Sequence, residues 1–501
     1  MRGSCLVPVL LCAAQALTFA AMRSACAEDS AAISSPQPIL PAIRAQLADP
    51  DVRKAADAGD LAALQAFYKE ASGPVWTTDM GFSTKGQRAL FEIEKADAWG
   101  LDDKAFDLPA AGALPDGLDD QAAAEIKLDL AILKYARFAR GGRTEPTAVG
   151  KVYQTPQLRD PSTVLAEIAG ADAPDAYLRS LQPRHAQFAR LRKALRAARG
   201  DGADGKLTTD AKRIIMNMER WRWMPEDLGH VYVWSNTPAF MLYVVKDGET
   251  IYADKTQVGT IGYATPVLSA DMTTVVFNPE WIAPPTVLKQ NLAPALRRKN
   301  YAVLKKYAFS VSRNGTRIDP TKVDWRCVNI MDYTFTQRPG PHSNVGKVKF
   351  LLPNKHAFVL HDTWPERYKY YKQSKRAVGH DCVRMEKPDD FAKVILAESN
   401  GWPADKVQDL WEHSVNDRVA LDTEIPVYST YFTAVADEDG KVTTYPDLYG
   451  LDHKLAAVLF GTADGFPMPA REVKRQRTSK AVRWKAPESE VTGALQGFAS
   501  D

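Results

Sequence analysis

From about Ile39 to Gly200, apolar residues recur at helical spacing. Leu61, Leu64 and Tyr68 fall on one face, as do Phe188, Leu191, Leu195 and Ala198. Gly100 and Gly141-Gly142 read as helix stops, and Pro109 and Pro115 as loop residues. The pattern predicts an all-α scaffold domain over 28–200. Asp201-Gly202-Ala203-Asp204-Gly205 is a linker by composition, and Thr208 to Trp223 reads as one more helix, ending before Pro225. Residues 201–229 are therefore linker and helix.

From His230 the period changes to that of strands. Val231-Tyr232-Val233-Trp234 is followed by Phe240 to Val245, then Asp247-Gly248, then Thr250-Ile251-Tyr252. Asp-Gly between two β-rich runs is a hairpin signal. A second hairpin reads from Lys347 to Leu352, through Pro353-Asn354-Lys355, to His356–His361. Alternation there sets Ala357, Val359 and His361 on one face and His356, Phe358 and Leu360 on the other. Pro388 to Ala397 reads as a helix. The stretch at about 284–339 interrupts the β pattern with helical and polar sequence, and an insertion of that size reads as a lid. The fold class expected is α+β and multidomain: a helical scaffold, then a mostly-β domain over 230–470 with a helical/loop lid, then a basic polar tail at 471–501.

Three further features change the picture. Leu6 to Ala21 is an apolar run after Arg2, and Ala25-Cys26-Ala27 fits an export cleavage site, so 1–27 reads as a signal peptide and the mature chain as periplasmic. An uncleaved anchor is the rival, disfavoured by the short run and by Arg23. No later segment is apolar enough to span a bilayer. The net charge of +3 falls to about +1 without Arg2 and Arg23, which gives no footprint for nucleic acid. The Arg190, Lys193, Arg196 and Arg199 face could bind an anionic polymer, although a solvated helix surface is the commoner meaning. Of five cysteines, only Cys327 and Cys382 outlast cleavage. They could form one disulfide, as exported proteins often do. If Cys382 is a nucleophile, Cys327 is expected to be an unpaired, buried thiol.

The chemistry concentrates in His361-Asp362-Thr363 and Gly379-His380-Asp381-Cys382-Val383-Arg384. An imidazole that takes a thiol's proton makes the thiolate that attacks carbonyl carbon. Two bland readings stand beside this one: a structural cysteine, or a zinc site from His361, His380 and Cys382, which lacks a known ligand spacing.

These segments resemble the signature of YkuD-type L,D-transpeptidases, in which a His-Asp-Thr histidine precedes Ser-His-Gly-Cys-(Ile/Val)-Arg. The resemblance extends to Glu219-Arg220-Trp221-Arg222-Trp223-Met224-Pro225, Phe277-Asn278-Pro279, Gln337-Arg338-Pro339-Gly340-Pro341 and Tyr431-Phe432-Thr433, as in the large YcbB-like periplasmic branch. Phe67-Tyr68 and Val75-Trp76 resemble that branch's scaffold. The small peptidoglycan-binding module usual in the branch has no counterpart beyond the short stretch from Asp201 to Asp210.

The resemblance implies peptidoglycan stem peptides as substrates, no cofactor and no metal. It makes Cys382 the nucleophile and His361 its base, acting through a thioester with loss of D-alanine and 3→3 cross-linking. Gly379, His380, Asp381 and Arg384 become accessory, with backbone N–H groups at and before the cysteine stabilising the oxyanion. Arg384 either meets a substrate carboxylate or braces the loop. Two departures stand out: Gly379 replaces the family's serine, and Asp381 its glycine. A carboxylate beside Cys382 opposes thiolate formation unless Arg384 or His380 pairs with it. Alternatives are an L,D-carboxypeptidase, attachment of an outer-membrane protein to peptidoglycan, or a weak or inactive wall-binding relative.

Overall fold

The structure is a computed structural model that describes residues 39–110, 117–199, 206–340 and 343–470. The export segment, the 201–205 linker, Pro115, Pro341 and the tail from Arg471 lie outside them.

The first part is helical, as its periodicity requires. Asp57 caps helix Ala58–Glu70 by accepting the Gly59 and Asp60 N–H groups, and Asp160 caps Pro161–Gly170 through Thr163. Leu61, Leu64 and Tyr68 are buried on one face, as are Phe188, Leu191 and Leu195 of helix Ala186–Arg199. Gly100 and Gly142 take φ of 75° and 82° just past helix ends, positive values that glycine permits, and Gly100 is a left-handed cap. Two carboxylates of helix Leu118–Gly141 sit within this core. Glu125 accepts the backbone N–H groups of Val75, Trp76 and Thr77, the last at 2.8 Å, and the Thr77 hydroxyl at 2.8 Å. Asp129 accepts Trp76 Nε1–H at 2.6 Å, and the Tyr68 hydroxyl bridges the two acids.

Helix Thr209–Arg222 joins the two parts, and the aromatic-basic run it carries is buried from Asn217 to Arg222. Arg220 reaches Asp452 at 2.6 Å and Thr433 at 3.1 Å, while Arg222 donates to Trp99 O at 2.7 Å. That motif thus couples helical and strand-rich parts. The basic face of Ala186–Arg199 is also spent on internal pairing: Arg190 meets Glu438 at 2.8 Å, Lys193 donates to Glu438 O at 3.0 Å, and Arg199 pairs with Asp97.

The strand-rich part is built on one mixed sheet: β1 Val231–Asn236, β2 Met241–Lys246, β3 Glu249–Gly259, β4 Leu268–Phe277, β5 Val348–Leu351, β6 Leu360–His361, β7 Ala377–Gly379, β8 Val383–Met385 and β9 Asp417–Thr430. The order is β7-β3-β8-β6-β5-β4-β9-β1-β2, and β2 pairs back to β3, closing the sheet on itself. The β2–β3 turn has positive φ at Asp247 and Gly248, as its Asp-Gly dipeptide predicts. The second hairpin forms with Phe350 opposite Leu360 and Lys349 opposite His361. Its second strand, however, is only Leu360–His361. The Asn354 carboxamide takes the N–H groups of His356 and Phe358, and Ala357 is left-handed at φ 52°, so 354–358 is a turn. Phe358 and Leu360 still enter the core beside Val348, Phe350 and Val383.

The insertion differs more from its expected form. Besides short helices it holds a four-stranded antiparallel sheet, Trp281–Ile282, Thr334–Gln337, Phe309–Arg313 and Thr316–Arg317, over an apolar core of its own. Asn314-Gly315, both at positive φ, makes the tight turn that its polar surroundings concealed. Among the described residues, no helix is long and apolar enough to cross a membrane.

Candidate active site

His361 ends β6, and Cys382 immediately precedes β8. These strands pair in parallel, Leu360 opposite Val383 and His361 opposite Arg384, and Val383 N–H donates to Val359 O at 3.3 Å. The sheet thus brings the histidine and the cysteine loop to one edge position from sites 21 residues apart in sequence. Among the described residues no hydrogen bond joins the two side chains; the cysteine sulfur lies 3.8 Å from Ala357 O. The imidazole is oriented by backbone, because Nδ1 meets Asp362 O. A carbonyl can only accept, so Nδ1 carries the proton and Nε2 is the basic nitrogen.

The Asp362 carboxylate faces elsewhere. It accepts Lys347 N–H at 2.8 Å and the Tyr368 hydroxyl at 2.7 Å, bracing the approach to β5. Gly346, at φ 64°, lies against it so closely that any Cβ would collide.

Burial holds His361 well below the usual imidazole range, and Arg384 pushes in the same direction. The base is therefore neutral at neutral pH. Burial also pushes the Cys382 thiol up; Arg384 and the Val359 N–H act against this, and Asp381 adds to it. The resting pair is a neutral thiol and a neutral imidazole.

Arg384 is buried at 9% exposure, and its Nε and Nη1 have no hydrogen-bond partner among the described residues. Burial, with Arg367 nearby, pushes its pKa down to about 10, so it is still charged. The loop before the cysteine is braced without it. Arg376 donates to Thr256 O, Gln373 O and Phe240 O at 2.8–3.0 Å, and Arg367 donates to Val378 O at 2.8 Å. Gly379 explains its own departure from serine: a Cβ there would run into Arg384 Nη1. His380 stacks on Tyr263, centroids 4.1 Å apart and planes 13° apart.

Asp381 corrects an expectation. Neither Arg384 nor His380 pairs with it; its partner is Lys151 of the helical part, at 2.7 Å. No sequence signal pointed there, since the two lie 230 positions apart. His356, which reads from the sequence as strand surface or packing, packs: it stacks on Tyr153 of the same helical-part segment, with centroids at 3.7 Å. Cys327 is a second correction: it is exposed in the insertion beside Asp324, not buried, because its neighbours Trp325 and Val328 turn into that insertion's apolar core and it does not. Both cysteines are free. The insertion reaches the site from two sides, with Tyr307 stacked on Trp364 at 5.6 Å and Gln290 against the Tyr263 hydroxyl. No group of three or more His, Cys, Asp or Glu among the described residues is placed to hold a metal.

Comparison with known proteins agrees with this geometry. Residues 62–195 match the scaffold domain family, and residues 230–419 match the YkuD family, described as the L,D-transpeptidase catalytic domain. A Haemophilus influenzae protein named "Putative L,D-transpeptidase" is 31% identical over 246 residues. That alignment covers 49% of each protein, so the chain spans about half the length of the curated relative it matches. The chain thus carries a YkuD-type L,D-transpeptidase catalytic domain with a scaffold domain ahead of it.

Proposed function

We propose that this protein is a periplasmic peptidoglycan L,D-transpeptidase that forms 3→3 cross-links by cysteine acyl transfer. One observation carries the reading: the parallel pairing of β6 with β8 sets His361 beside the loop of Cys382 and leaves two buried Arg384 donors unpartnered. Such donors are costly to bury unless a ligand completes them. An anionic group of the stem peptide is the partner that fits.

In this reading His361 Nε2 takes the thiol proton as sulfur attacks the carbonyl of the diaminopimelate at position three. The oxyanion that forms is met by the Asp381 and Cys382 N–H groups, neither of which has an acceptor among the described residues. The C–N bond to the terminal D-alanine breaks, and the proton on His361 passes to the leaving amine. The side-chain amine of a second stem then attacks the thioester, giving its proton to His361 and restoring the thiol. Every step is proton transfer and acyl exchange, so no cofactor is called for. The N-terminal apolar run supports export.

The test is incubation of the mature protein and Cys382→Ala with disaccharide-tetrapeptides, read by mass spectrometry. Dimers that depend on Cys382 and have lost D-alanine are expected. Tripeptides alone would make it an L,D-carboxypeptidase, or point to an acceptor such as an outer-membrane protein's lysine. No turnover at all would make it a wall-binding relative.

A further inference from the structure

Asp381 places a carboxylate directly before the nucleophile, where it opposes the negative charge that the chemistry must develop. The structure answers this from the scaffold side. Residues 150–153 cross to the catalytic domain and pair with β4's approach: Val267 N–H donates to Lys151 O at 2.9 Å, and Tyr153 N–H donates to Val267 O at 2.7 Å. Val152 is buried with Val267, Trp223 and Tyr449. Gly150 allows the close entry, since a Cβ there would press on Leu451 at 3.1 Å, and its φ of 139° suits glycine. The backbone of Lys151 is therefore fixed without help from its side chain. Its ammonium group lies 2.7 Å from Asp381 Oδ1 and 3.3 Å from Ala264 O.

We infer that Lys151 is a positioning residue of the active site, supplied by the scaffold domain, which turns the Asp381 carboxylate toward the scaffold and cancels its charge beside Cys382. The inference rests on Cys382 being the nucleophile. The pair is half-exposed, so it adds little to stability. Its effect is local, because the neighbouring charges are few. Cys382 faces Arg384 from β8 and Asp381 from its own loop; Arg367 adds to the positive field on Arg384, and Lys349 and Arg384 act on His361. Lys151 also acts on His356, together with Lys355. Removing Lys151 leaves Asp381 unbalanced in this set. The departure from glycine at 381 then makes sense as one half of a pair whose other half lies in a different domain.

The test is the rate of Cys382 alkylation by iodoacetamide across pH, using the full chain and reading the Cys382 peptide by mass spectrometry so that exposed Cys327 does not contribute. Lys151→Met should raise the apparent thiol pKa by about half a unit and slow alkylation about three-fold at fixed pH. Lys151→Arg should keep the wild-type profile. In an Asp381→Asn background, Lys151→Met should change nothing. An unchanged profile in Lys151→Met, equal slowing in the Asp381→Asn background, or failure of Lys151→Arg to retain the profile would each overturn the inference. Alkylation needs no turnover, so these outcomes are separable from failure of the transpeptidase reading, which the muropeptide products report.

Discussion

Among the ionisable groups buried in the described residues, two sets are treated in opposite ways. In the scaffold, the Glu125 and Asp129 carboxylates are surrounded by donors from Tyr68, Val75, Trp76 and Thr77. Burial, then the charge of Glu125, pushes Asp129 well up, while the hydrogen bonds from Trp76 and Tyr68 act against this. At the catalytic loop, Arg384 Nε and Nη1 are buried and unanswered. A satisfied polar network fixes a fold, whereas an unsatisfied one costs stability and persists where a ligand completes it. The scaffold cluster therefore holds structure, and on the proposed function a substrate anion completes the Arg384 site.

The comparison breaks first at Glu125. Glu125→Ala strands three backbone donors and should destabilise the protein by about 3–5 kcal/mol in denaturant unfolding, with activity per folded molecule intact. A small loss of stability would mean that the cluster is not the scaffold's anchor. Arg384→Met should do the reverse. Its melting temperature should hold or rise, because an unpartnered buried charge is removed, while kcat/KM falls about 100-fold, or about 2.7 kcal/mol. Lower stability with unchanged activity would make Arg384 a brace. Gly379→Ser, which restores the family's residue, should cost about ten-fold in kcat/KM by displacing the guanidinium; wild-type activity would show that the loop has room to adjust.

The smallest effect is one of pH. His361 is depressed well below the ordinary value, so activity should not fall off at the usual imidazole pKa as pH drops, and a limb near 6.5 would contradict the buried, neutral base. The linked stability has the same sign. A depressed imidazole contributes above its unfolded pKa, and that contribution is lost as pH falls through the folded one.

What could be read from the sequence was whatever depends on local chemistry. Helical spacing of Leu61, Leu64 and Tyr68, glycine stops at Gly100 and Gly142, and the Asp247-Gly248 turn all act within a few residues. The placing of His361 at a strand end was legible for the same reason. Lys151 was not legible, because an uncompensated Asp381 demands a cation without saying which one. Neither was the cause of Gly379, which depends on where Arg384 packs. The insertion's sheet was overlooked for a different reason. Its Asn314-Gly315 signal is local, but the flanking strands are short and mostly polar, so alternation was weak.

The account's central claim is that Cys382 becomes acylated with the stem peptide. Intact-mass measurement after brief mixing with a tetrapeptide stem, followed by peptide mapping, tests it directly. The account predicts a tripeptide acyl group on Cys382, lost on adding an amine acceptor and absent from Cys382→Ala. An adduct on another residue, or cross-linked product formed by Cys382→Ala, would contradict it.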